Sequence, residues 1–199
     1  MSVAEFRVND RVPPANIVDI QTSKDWPTLM SLADKFVSWE DSTDHGTLEK
    51  TYDDNGKYVY GVALTVGNNG HGLGLSDHLL VHAAPKLISG NKKYIYFSGR
   101  MPGFCKYKNK MKPGDYYNAT TIIKDKKVAL DPQIRMYESF GLKKVRLVKD
   151  GFVGDKESAN YGVVFKANNP LYNWPLPKLL GKIFGLLARN RTLLRLMIG

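Results

Sequence analysis

Lys57-Tyr58-Val59-Tyr60-Gly61-Val62-Ala63-Leu64-Thr65-Val66-Gly67 runs directly into Asn68-Asn69-Gly70-His71-Gly72-Leu73-Gly74-Leu75. The first half is rich in β-branched and aromatic residues and reads as a strand. The second half is glycine-punctuated, and from Leu75 a helical spacing begins, with Leu75, Leu79, Ala83 and Leu87 on one face. A strand that ends in glycines and opens a helix can cradle an anion. Glycines let the backbone come close, and the unpaired N–H groups of the first helical turn point outward. The same run also fits a plain flexible turn with a glycine helix start. It is no P-loop, because no Lys-Ser/Thr follows the glycines, and the spacing departs from a dinucleotide fingerprint.

Upstream, Asp53-Asp54-Asn55-Gly56 carries hairpin-turn chemistry between 47–52 and 57–67. Residues 1–15 read as an irregular arm and Asn16–Gln21 as a short strand. Ser23 caps a helix over Lys24–Val37, and Pro27 is tolerated in its first turn. Downstream, Pro85 should kink or shorten the helix that begins at Leu75. Lys93–Ser98 reads as a strand, Tyr116–Ile123 as helical, and Asp131-Pro132 opens a helix that runs to Phe140 and stops at Gly141. Lys143–Lys149 and Tyr161–Ala167 alternate like a hairpin pair. The order predicts a mixed α/β domain over 1–170. A basic amphipathic segment, 171–199, follows Pro170.

The chain has 199 residues and a mass of 22.4 kDa, enough for one domain with a sizeable core. Its single cysteine, Cys105, excludes an intrachain disulfide framework. Flanking lysines could make Cys105 a nucleophile; a plain packed cysteine is the alternative. The start, MSVAEFRVND, lacks an apolar signal region, so a reducing cytoplasm is expected. Net charge is +10, and the excess is local. Residues 101–130 hold seven lysines against Asp115 and Asp125, and 171–199 hold Lys178, Lys182, Arg189, Arg191 and Arg195 without an acid. Two basic segments on a neutral body fit neither a helix-turn-helix, an RRM nor a zinc finger, so no nucleic acid is expected. His78 and His82 share a helix face, but two ligands without a third make no metal site. In 176–198, Lys178, Lys182, Gly185, Arg189 and Thr192 form one polar stripe against a wide leucine-rich face. Such a helix suits a membrane surface on the inner face, a partner, or its own domain.

Asn69-Gly70-His71-Gly72-Leu73-Gly74 after a strand resembles the GNAT N-acyltransferase superfamily, whose pattern is Arg/Gln-x-x-Gly-x-Gly/Ala. Met136-Tyr137-Glu138-Ser139-Phe140-Gly141-Leu142 is similar to the family's Phe-Tyr-Glu-x-x-Gly-Phe segment. Three further runs resemble GNAT domains fused to nitrilase-like amidohydrolases. They are Ser98-Gly99-Arg100-Met101-Pro102-Gly103-Phe104, Asp131-Pro132, and Asp155-Lys156-Glu157-Ser158 through Tyr161 to Asn168-Asn169-Pro170. The likeness covers roughly 39–170 and implies a mostly antiparallel sheet flanked by helices.

It also implies acyl-CoA, of acetyl or longer chain, as co-substrate, and direct transfer to a small-molecule amine in a ternary complex. Val66, Gly67, Asn69, Gly70, His71, Gly72, Leu73, Gly74, Leu75, Ser98 and Gly99 would hold the cofactor. Tyr137 would act as acid, and Asp44 and His45 precede the hairpin where the acceptor should sit. An acyl carrier protein as donor, a homodimer, and a degenerate binding protein at a membrane or partner surface are the alternatives. The chain departs from the pattern at Asn69, in lacking a Glu on 57–67, and in placing only residues 1–46 before the hairpin.

Overall fold

The computed structural model describes residues 4–6, 15–17, 20–22, 44, 45, 47, 56–61 and 84–187. The chain divides into two compact units, one of 1–23, 53–95 and 168–199, the other of 24–52 and 96–167.

In the first unit, β1 (Ala4–Phe6) pairs antiparallel with β2 (Ala15–Ile17). Next, β3 (Ile20–Thr22) pairs antiparallel with β4 (Tyr58–Gly61), with Gln21 opposite Tyr60. The expected irregular arm thus contains a strand, and the expected strand 16–21 is two strands. Each half has its own partner, which periodicity along one segment cannot reveal. The strand beside Val59–Gly61 is β3; the expected hairpin partner, 48–52, lies outside the described residues.

Residues 75–83, where the helix expected from Leu75 would begin, lie outside the described residues; residues 84–89 are helical (α1), with Pro85 in the first described turn. Its Ile88 packs with Phe184 of a later helix, supported by Ala84, Leu171 and Leu180. Gly181 makes that approach close. A Cβ there would stand 2.7 Å from Ser89 Cβ and 2.8 Å from the Pro85 carbonyl oxygen. Strand β5 (Tyr94–Arg100) begins in this unit and ends in the other.

The second unit continues from β5 into a 3-10 helix, Pro102–Lys106, and α2 (Pro113–Asn118). Then come β6 (Thr120–Ile123) and β7 (Lys126–Ala129), α3 (Pro132–Ser139), β8 (Lys143–Val148) and β9 (Gly162–Asn168). The helix expected over 116–123 stops at Asn118. The β-branched run Thr120-Thr121-Ile122-Ile123 pairs instead with Lys126–Ala129. Lys124 and Asp125 both sit at positive φ, 49° and 62°, as a two-residue hairpin turn requires. Within this unit the strand order is β5-β9-β8, and β8 meets β9 antiparallel with a bulge between Lys144 and Arg146. Phe97, Phe104, Tyr116, Ile134, Val163 and Phe165 fill this unit's core.

The last helix, α4 (Pro177–Leu187), follows a turn in which Asn173 and Leu176 take positive φ. Asn169 precedes it and is buried. Its side-chain amide donates to the Lys92 carbonyl at 2.8 Å, and its side-chain oxygen accepts the Leu171 N–H at 2.9 Å.

Candidate functional site

The glycine run lies outside the described residues. Val66, Gly67, Asn69, Gly70, His71, Gly72, Leu73, Gly74 and Leu75 therefore carry no geometry here, and neither do His78 and His82. What flanks them is described, with β4 leading in and α1 leading out.

Ser98 and Gly99 lie on β5, and Gly99 faces Tyr137. A Cβ on Gly99 would stand 2.8 Å from Tyr137 Cε2 and 2.8 Å from Phe165 Cε2. The missing side chain is what lets the Tyr137 ring lie on the strand. Tyr137 is buried on α3, with its ring 4.6 Å from Phe165 and 5.7 Å from Phe97, centroid to centroid. Burial pushes its hydroxyl up to about 12, and a hydrogen bond from the Gln133 side chain pulls the other way. Two residues singled out in the sequence, Gly99 and Tyr137, are thus brought together. Gly99→Ala should destabilise the fold by about 1–3 kcal/mol, because rings on both sides leave no room for a methyl. Urea unfolding followed by circular dichroism measures this.

Asp44 and His45 sit in a turn at positive φ, 48° and 55°. Thr47 ties that turn together. Its N–H and hydroxyl donate to the Asp44 carbonyl at 3.1 and 2.8 Å, and the hydroxyl lies 2.9 Å from Asp44 Oδ2. His45 is exposed. The Cys105 thiol is half-buried and donates to the Pro102 carbonyl at 3.4 Å. Lys106, Lys108, Lys110 and Lys112 are exposed along the following stretch.

Two polar clusters went unassigned in the sequence, although their residues belong to the runs quoted above. In the first, Arg100 reaches Asp155 through Nε and Nη2, both at 2.6 Å, and Glu157 through Nη2 at 2.8 Å. The fully buried Ser158 hydroxyl accepts the Met101 N–H at 2.9 Å. The Cys105 N–H donates to the Glu157 carbonyl at 2.9 Å. Segment 155–158 is therefore pinned to the end of β5 and to the 3-10 helix behind it.

Arg100 holds the Asp155 carboxyl down to about 2, below its ordinary 3.8, with help from the Ser158 hydroxyl. A depressed folded-state value means that the pair stabilises the fold above pH 3.8. The contribution is lost as pH falls toward 2. Asp155→Asn should cost about 1 kcal/mol at neutral pH, since Arg100 is half in solvent. The gap from wild type should close below pH 4, read from urea midpoints across pH 2–7.

The second cluster centres on Asp131, which is fully buried. Its Oδ1 accepts the Gln133 and Ile134 N–H groups at 2.9 and 3.1 Å and so caps α3. Its Oδ2 accepts the Gly103 N–H and the Tyr116 hydroxyl, each at 3.1 Å. Burial, followed by the Asp131 charge, raises the Tyr116 hydroxyl well above its usual range. The Asp131-Pro132 pair predicted the helix start. It carried no sign that the same carboxylate also anchors the 3-10 helix and α2.

No protein-family model matches the chain. A curated relative from Bacillus subtilis (strain 168), the uncharacterized N-acetyltransferase YkwB, is 25% identical over 135 residues. Those residues are 68% of this chain and 57% of the relative, so the match spans little more than half of that protein. Among solved structures, the loading GNATL domain of CurA from Lyngbya majuscula matches with a TM-score of 0.57 and 18% identity. The match covers 79% of this chain and 70% of that one. The GphF GNAT-like decarboxylase in complex with isobutyryl-CoA matches with a TM-score of 0.51 and 18% identity, over 62% of each chain. The protein is a mixed α/β chain with a mostly antiparallel, helix-flanked sheet and a GNAT-like fold.

Proposed function

We propose that this protein is a GNAT-type acyltransferase that moves an acyl group from acyl-CoA to an amine. The observation that carries the reading is the order β4, glycine run, α1 within a fold like that of a GNAT-like enzyme holding isobutyryl-CoA. The backbone amides of Gly70 to Gly74 bind the pyrophosphate, and Ser98 and Gly99 of β5 contribute to holding the donor. The exposed lysines at 106–112 meet the remaining CoA phosphate. The acceptor amine attacks the thioester carbonyl. A carbon–nitrogen bond forms, the carbon–sulfur bond breaks, the amine gives up a proton, and the thiol gains one.

Tyr137 faces the departing sulfur. A phenol pushed up to about 12 keeps its proton at neutral pH and can donate a hydrogen bond to the developing thiolate. Asp44 and His45 lie on the acceptor side of this scheme. A second reading replaces CoA with an acyl carrier protein as donor, and the exposed lysines at 106–112 suit its acidic surface.

Incubation of the full chain with acetyl-CoA or a long-chain acyl-CoA and a panel of amines, read by mass spectrometry, tests the proposal. An acylated amine and free CoA in equal amounts are expected. Unchanged donor with every amine, and with acyl carrier protein as well, contradicts it.

A further inference from the structure

Helix α4 has two apolar faces, and its own unit uses one. Phe184, Gly181 and Leu180 turn toward α1. Trp174, Leu176, Leu179, Ile183 and Leu186 remain between 44% and 69% exposed. At about 100° per residue, Leu179, Ile183 and Leu186 fall within roughly 60° of one another on the helix. Lys178 and Lys182 are exposed beside that arc, on the flank between it and the buried face. No acid occurs from 171 to 199, where five cations do. Among the described residues, no helix is long and apolar enough to cross a membrane.

We propose that this outer face of α4 docks on an anionic lipid bilayer, lying in the plane of the interface. The exposed side chains of the helical arc, Leu179, Ile183 and Leu186, are aliphatic and bring no hydrogen-bonding group. That suits acyl chains, whereas a specific protein partner is recognised in part through polar contacts. The lysine stems lie along the helix flank and their ammonium groups reach lipid phosphates. Trp174, just ahead of the helix, takes the interfacial position that indoles favour. The inference stands on α4 alone and does not depend on the acyl-transfer reading.

The test is sedimentation of the full chain with vesicles of phosphatidylcholine containing about one third phosphatidylglycerol. Partition into these vesicles should exceed partition into pure phosphatidylcholine at least tenfold and fall with salt. Leu179→Gln combined with Leu186→Gln should weaken it at least tenfold. Both side chains are exposed, so the thermal midpoint should stay unchanged. Lys178→Glu combined with Lys182→Glu should remove the salt dependence. Trp174 emission should shift to the blue on binding, a change that Trp174→Phe abolishes. Failure to sediment with anionic vesicles overturns the proposal, as does equal partition of the leucine variant. Dimerisation in ultracentrifugation, or capture of an acidic acyl carrier protein, that the leucine pair abolishes while vesicle binding persists would also overturn it.

Discussion

Asp131→Ala should cost about 3–5 kcal/mol of folding stability. The carboxylate is fully buried and satisfies four donors at once: the Gln133 and Ile134 N–H groups, the Gly103 N–H and the Tyr116 hydroxyl. Loss of the cap alone costs about 0.5–2 kcal/mol. The Gly103 and Tyr116 donors are then stranded away from water, at about 1–3 kcal/mol each before relaxation. Asp131→Asn keeps one acceptor oxygen and should fall about midway. Urea denaturation of the three proteins gives the series. An alanine variant within about 1 kcal/mol of wild type would show that the cluster is not what holds α3, α2 and the 3-10 helix together.

Tyr137→Phe should lower amine-dependent thiol release about 100-fold while leaving the fold in place. The ring is kept, and with it the stacking on Phe165 and Phe97. Only the hydroxyl and its bond from Gln133 are lost. Because burial pushes that hydroxyl up to about 12, Tyr137 stays protonated throughout the neutral and mildly alkaline range. The wild-type rate should therefore show no alkaline loss from this group below about pH 11. Thiol release followed with a chromogenic disulfide, as a function of pH, reads both effects. Equal rates for the two proteins would leave Tyr137 as a packing residue of α3.

Much of this arrangement can be read from the residues, because local chemistry decided it. Asp131-Pro132 announced a capped helix, and α3 starts there. The alternation of Lys143–Lys149 and Tyr161–Ala167 announced β8 and β9. Errors arose where a partner far along the chain decided the outcome. Tyr116–Ile123 reads as helical, but the left-handed Lys124-Asp125 turn folds its β-branched second half, 120–123, onto β7. Asn16–Gln21 reads as one strand because nothing local marks where pairing with β1 gives way to pairing with β4.

At the site, Tyr137 was legible as a motif, whereas its contact with Gly99 was not. That contact depends on a missing Cβ on a strand 38 positions away. Arg100, Asp155 and Ser158 were visible as parts of runs, but only the fold makes them one cluster. The excess positive charge lies in 101–130 and 171–199; among the described residues, Lys106, Lys108, Lys110, Lys112, Lys178 and Lys182 are exposed.

Calorimetric titration of the full chain with acetyl-CoA and with a long-chain acyl-CoA tests whether the glycine run is an acyl-CoA site. Saturable binding of at least one of them at one site per chain is expected. A Gly72→Glu variant, which sets a carboxylate among the proposed phosphate-binding amides, should lose it. Absence of heat with both donors, or binding that Gly72→Glu leaves intact, would contradict the assignment of the glycine run as the acyl-CoA site.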